Sequence, residues 1–228
     1  MISKRLSRSC IFRVFLIAIG MTWALPVQVQ AQGDLPVILT VGESTTAGFG
    51  VPTAFSYPSQ LEVMLSDRGY AYRVVNQGRS GITTSMALNG LDRGLRLGPK
   101  IVIIALGGND RGNRVATERT RQNLQKMVSM FVRVGADVFL ADRNLRADGA
   151  GTDLPSMFAE LAAQEGAILM PSLRAGVAGR PELLLADGSH PNADGYTIVA
   201  RRILGLIEPY LYGPEDAGPE DAGPDGAP

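Results

Sequence analysis

Five short apolar runs, rich in β-branched residues and each closed by glycine, aspartate or serine, constrain the fold more than any other feature of this chain. They read "VILTVG" (37–42), "YRVVNQG" (72–78), "KIVIIALGG" (100–108), "ADVFLAD" (136–142) and "AILMPS" (167–172). Each has the length of a buried strand. Between them the apolar period becomes helical: Tyr57, Leu61, Met64 and Leu65 share one face, and so do Leu124, Met127, Val128 and Phe131. A last stripe holds Tyr196, Val199, Ala200 and Ile203, with Arg201 and Arg202 outside it. Such stripes face a core. Strands alternating with amphipathic helices need crossover connections, which predicts a parallel sheet of about five strands in a three-layer α/β/α domain. In such sheets ligands bind beyond the carboxyl ends of the strands, at the switch in strand order. The residues just after each strand are therefore the first places to look for chemistry.

Both ends of the chain read differently. Lys4, Arg5, Arg8 and Arg13 precede an apolar run from Val14 to Leu25, and "VQVQAQG" ends it in small residues. This is the layout of a secretory signal peptide spanning residues 1–31, cleaved after Ala31. The run has 12 residues, short of the roughly 20 that span a bilayer. No membrane span is expected after cleavage, and the predicted location is secreted or periplasmic. From residue 213 to 228 the chain reads "GPEDAGPEDAGPDGAP". That acidic repeat has no large apolar side chain to bury and predicts a disordered tail with no readable partner. The folded domain is then 32–212.

Composition closes several routes. Cys10 falls inside the signal, so the mature chain has no cysteine for a disulfide, a thiolate nucleophile or a Cys/His zinc site. A single histidine, His190, cannot build a multi-histidine metal centre, and no metal or other cofactor is expected. The mature chain carries 18 basic against 22 acidic residues, and without the tail 18 against 17. That balance gives no basic face for nucleic acid.

The loops after the strands hold the ingredients of serine acyl transfer. "GESTTAGFG" follows the first strand with Ser44 at its turn, "NQGRSGITT" ends the second, "GGND" follows the third, and Asp187-Gly188-Ser189-His190 lies before the last helix. A neutral hydroxyl needs a base that titrates near working pH, and here only His190 can supply an imidazole. Each motif alone also has a plain structural reading. Ser44 suits a turn, and His190-Pro191 can mark a helix start capped by Asn192.

Taken in order, these four blocks resemble the SGNH hydrolases, also called GDSL esterases and lipases, over nearly the whole folded part. Bacterial arylesterases and acyl-CoA thioesterase/lysophospholipase enzymes are the most similar branch. The resemblance implies a flavodoxin-like fold and cofactor-free hydrolysis of an acyl ester or thioester. It makes Ser44 the nucleophile, His190 the base and Asp187 its orienting acid. It assigns the oxyanion hole to the backbone N–H groups of Ser44 and Gly78 and the side-chain amide of Asn109. The family's usual Gly-Asp-Ser is Gly-Glu-Ser here, so Glu43 carries one methylene more than the carboxylate that normally makes local hydrogen bonds.

Classical α/β-hydrolase and P-loop readings fail on the same residues. Thr46 stands where Gly-x-Ser-x-Gly wants its second glycine, and "GESTTAGFG" has no Gly-Lys-Ser/Thr. Substrate is less legible. Arg111 and Arg114, directly after "GGND", are candidates to meet an anionic leaving group such as that of a lysophospholipid or an acyl-CoA-like thioester, or else are solvated loop arginines. The loop from Arg143 to Pro155 is a candidate lid. A carbohydrate O-acetyl esterase using the same site, and a non-enzymatic binding protein on this fold, stay open as readings.

Overall fold

The structure, a computed structural model, describes residues 35–143 and 156–212. The signal segment, the candidate lid beyond Arg143 and the acidic tail lie outside the described residues.

Five strands form one sheet: β1 (Val37–Gly42), β2 (Arg73–Asn76), β3 (Ile101–Ala105), β4 (Asp137–Asp142) and β5 (Ile168–Pro171). All neighbours are parallel, in the order β2-β1-β3-β4-β5. Every one of the five apolar runs supplies one strand. The helices are α1 (Ser44–Ala47), α2 (Tyr57–Asp67), α3 (Thr84–Asn89), α4 (Leu91–Leu95), α5 (Gly108–Gly112), α6 (Thr117–Arg133), α7 (Met157–Glu165) and α8 (Ala193–Ile207).

Side chains alternate across each strand, so the sheet feeds two cores. On one face Ile38, Ile103, Phe139 and Met170 pack with Tyr57, Leu61 and Leu65 of α2 and Tyr196, Val199 and Ile203 of α8. On the other, Leu39, Val41, Val102, Ile104 and Leu140 pack with Leu124, Met127, Val128 and Phe131 of α6 and Leu161 of α7. Each large apolar side chain so buried contributes roughly 1.5–3 kcal/mol. The three predicted stripes are these core faces. Met64 sits half-buried at the edge of its stripe. Arg202 departs further from expectation: it is half-buried, and its guanidinium donates to the Ala175 carbonyl. Its aliphatic stem allows this, because it can lie along apolar surface while the head finds an acceptor.

Strand order reverses at β1, which lies between β2 and β3. Register places Thr40 opposite Asn76 and Gly42 opposite Ala105. The loops that leave β1, β2 and β3 therefore emerge side by side at the carboxyl edge, where this fold opens its ligand crevice.

Candidate active site

Ser44 begins α1, a single turn closed by Gly48 in the left-handed region at φ 78°. His190 arrives from the far end of the sequence on a loop pinned at both sides. Leu185 N–H donates to the His190 carbonyl at 2.8 Å, Asn192 N–H donates to the Leu183 carbonyl at 2.9 Å, and Leu184 pairs with Pro191 in an antiparallel bridge. Asn192 does cap α8, accepting from Gly195 N–H at 3.0 Å. The cap starts the helix, and the residues just before it carry the imidazole.

His190 Nε2 stands 2.8 Å from Ser44 Oγ, and Nδ1 stands 2.6 Å from Asp187 Oδ2. The other carboxylate oxygen, Oδ1, accepts from Ser189 N–H at 2.9 Å and from His190 N–H at 3.0 Å. These bonds hold the Asp187 carboxyl down at about 2. The backbone N–H of His190 is the largest cause, followed by its imidazole and then the Ser189 N–H. A carboxylate only accepts, so Nδ1 carries the ring hydrogen and the Nε2 lone pair faces the serine hydroxyl. The Phe49 ring lies 4.5 Å from the imidazole, tilted by 42°. Phe49 is held in turn where its carbonyl accepts from Tyr196 Oη at 3.2 Å. Ser44 is thus brought together with His190, 146 residues away in sequence, and with Asp187 on the same loop as His190.

Asn109 opens toward the same cavity. One of its amide hydrogens goes to the Ile82 carbonyl at 2.9 Å, leaving the other free to donate. Gly78 departs from its assignment. Its N–H is donated to Asn76 Oδ1 at 2.8 Å, and it does not line the cavity. A Cβ at position 78 would sit 2.4 Å from Ala47 N, so the glycine answers a packing need: it lets the second loop close against the backbone of α1. The loop residues that do line the cavity are Ser80 and Gly81. Gly81 has φ 77°, and among the described residues its N–H has no acceptor.

Three residues outside the assigned triad and oxyanion hole organise these loops. Asn76 joins the second loop to the first, since its Nδ2 donates to the Thr46 carbonyl at 2.9 Å while its Oδ1 holds Gly78 N–H. Glu43 makes no cap on its own helix; its Oε1 accepts from the N–H groups of Gly108 and Asn109 instead. The longer carboxylate thus ties the Ser44 turn to the Asn109 turn. Asp110, 1% exposed, accepts from Thr84 N–H at 2.8 Å, from Thr84 Oγ1 at 2.5 Å and from Thr120 Oγ1 at 3.2 Å. "GGND" therefore contains a side chain for the cavity and, next to it, an anchor for α3 and α6. Asp110→Ala orphans the buried Thr84 N–H and should cost about 3 kcal/mol. Urea denaturation measures it; a loss below about 1 kcal/mol would remove the anchor role.

The cavity has a volume near 670 Å³ and is lined by Ser44, His190, Asn109 and Gly81, with Phe49, Leu106, Ala141, Leu173 and Ala178 as apolar wall. Arg111 and Arg114 are not part of it: both line a neighbouring cavity of about 460 Å³. Among the described residues there is no cluster of three or more His, Cys, Asp or Glu side chains placed for a metal.

The sequence profile of the GDSL-like Lipase/Acylhydrolase family matches residues 40–198, which include Ser44, Asn109, Asp187 and His190. The chain belongs to that family. Esterase TesA of Pseudomonas aeruginosa is 32% identical over 184 residues, covering 79% of this chain and 92% of that protein. An arylesterase of Vibrio mimicus is 32% identical over 171 residues, covering 72% and 84%. The crystal structure of TesA superposes with a TM-score of 0.69 at 32% identity, over 77% of this chain and 99% of that one. The family and these relatives make the chain a carboxylic ester hydrolase.

Proposed function

We propose that this protein is an exported serine hydrolase that cleaves acyl esters or thioesters through Ser44, His190 and Asp187. The observation that carries the reading is the continuous chain from Ser44 Oγ through both imidazole nitrogens to Asp187, at 2.8 and 2.6 Å, at the wall of an open, partly apolar cavity. The export half rests on the sequence pattern of residues 1–31. Among the described residues no helix is long and apolar enough to cross a membrane.

In the proposed reaction Ser44 Oγ attacks the acyl carbonyl while Nε2 of His190 takes its proton. Ionised Asp187 fixes the ring hydrogen on Nδ1 and stabilises the imidazolium. The oxyanion is met by the backbone N–H of Ser44 and the Asn109 amide. Gly81 N–H takes the place first given to Gly78, because the Gly78 N–H is already bound. Each such donor typically supplies about 3 kcal/mol in the transition state. Collapse of the tetrahedral intermediate releases the alcohol or thiol with the proton from Nε2, and water then frees the acid by the same route.

Two measurements test this. Hydrolysis of p-nitrophenyl esters from acetyl to long acyl chains by the mature protein should show turnover, with a chain-length profile that separates an acetyl-sized pocket from a lipid-acyl one. A phosphonate ester probe should form one covalent adduct, located on Ser44 by peptide mass spectrometry. Turnover without Ser44 labelling would sink the mechanism, and absence of turnover on every ester and thioester would sink the activity.

A further inference from the structure

Among the described residues, Glu43 is the one carboxylate that lines the catalytic cavity, and the Ser44 mechanism gives it no step. Two attachments fix it. Its carbonyl accepts from Ala47 N–H at 2.9 Å, the first bond of α1. Its side chain leaves that helix uncapped and crosses to α5, where Oε1 accepts from Gly108 N–H at 2.5 Å and from Asn109 N–H at 2.9 Å. One half-buried residue thus joins the turn that carries the Ser44 N–H to the turn that carries the Asn109 amide, across 66 positions of sequence.

Position 108 is shaped around this carboxylate. A Cβ there would sit 2.4 Å from Glu43 Oε2 and 2.8 Å from Arg143 Nη1. Gly108 lies in α5 without a positive φ. The missing side chain, and not backbone freedom, is therefore what the site requires of this glycine.

Asn109 is held at three points: its N–H by Glu43, its Nδ2 by the Ile82 carbonyl at 2.9 Å, and its carbonyl by Asn113 N–H at 2.8 Å. Of these, only the Glu43 bond reaches the Ser44 turn. The charge of Glu43 is not what the site gains, because a carboxylate in the wall of a cavity where an oxyanion forms opposes that oxyanion. What it supplies is one oxygen that accepts from two adjacent N–H groups. Spacing matters here, since misplacing a group by about 1 Å can cost about 10²-fold in rate.

We infer that Glu43 is a positioning residue: its acceptor oxygen, and not its charge, sets the Asn109 amide against the Ser44 N–H so that both donors reach one oxyanion. This rests on the proposed Ser44 site and adds to it a residue that acts through Asn109 without touching a reacting atom.

The test is a double-mutant cycle on p-nitrophenyl butyrate with Glu43→Ala, Asn109→Ala and their combination, beside Glu43→Gln. Glu43→Ala should lower kcat by about 10²-fold and move KM by less than about threefold. Glu43→Gln keeps the acceptor and removes the charge, so its kcat should stay within about threefold of wild type. With Asn109 already truncated, Glu43→Ala should cost less than about threefold more. A glutamine variant as slow as the alanine one, a loss carried by KM, or an undiminished loss in the Asn109→Ala background would each overturn the inference. A merely structural role predicts the last of these, because a destabilised fold lowers activity equally in both backgrounds.

Should wild type hydrolyse no ester, the activity reading fails separately, and amide hydrogen exchange followed by NMR still decides the positioning. The Asn109 backbone and side-chain N–H groups should exchange at least about tenfold faster in Glu43→Ala than in wild type or Glu43→Gln. Exchange indifferent to Glu43 rejects the inference.

Discussion

Ser44→Ala and His190→Ala are each expected to lower kcat on a p-nitrophenyl ester by about 10⁶-fold, and the double variant by little more. The near-equality follows from the geometry. Among the described residues Ser44 Oγ has one base in hydrogen-bond reach, Nε2 at 2.8 Å, and His190 is the chain's only histidine. Removing the hydroxyl leaves the base nothing to activate, and removing the imidazole leaves the hydroxyl protonated. Neither change should unfold the protein, because both side chains face the cavity and neither belongs to the two cores. Stopped-flow and steady-state rates on the three variants check it. Losses that multiply in the double variant would mean the two residues act independently, and the relay would have to be abandoned.

Asp187→Asn should cost about 10⁴-fold in kcat while leaving the loop in place. The two oxygens of Asp187 have different work. Oδ1 holds the N–H groups of Ser189 and His190, which an asparagine oxygen can still accept. The amide nitrogen would then occupy the Oδ2 position beside Nδ1, where two donors would face each other. The ring must turn its hydrogen to Nε2 to avoid that, and Nε2 can then no longer accept from Ser44. Asp187→Ala loses the loop bonds as well and should add a stability loss that the asparagine variant lacks.

Asp187 also fixes a pH dependence. Its folded value, about 2, lies below the usual 3.8. A carboxyl lowered on folding stabilises the fold above its unfolded value, and that contribution fades as pH falls from about 4 through about 2. Above its usual 3.8 the Asp187 carboxyl stays ionised, so an acid limb of the rate profile found there should not be set by its protonation. An acid limb above that value that vanished in Asp187→Asn would contradict this.

Local sequence was sufficient for some of this protein and insufficient for the rest. Strand length, the change from strand to helical period, and the place of Ser44, Asn109, Asp187 and His190 just after strands or before a capped helix are all local quantities. They are readable because backbone geometry repeats every two or about 3.6 residues. Which N–H groups stay free to bind a ligand is decided elsewhere. Gly78 and Gly81 look alike in "NQGRSG", and only the approach of Asn76 and Ala47 shows that the first is consumed and the second is open. Glu43 reads as a departure from a motif until its carboxylate is seen to bridge to Gly108 and Asn109. Arg111 and Arg114 follow Asn109 closely, yet they line a neighbouring cavity and not the one that holds Ser44. Sequence determined which elements form and which chemical groups they carry. Packing of distant loops at the switch between β1 and β3 decided which of those groups are satisfied by one another and which remain to act on a substrate.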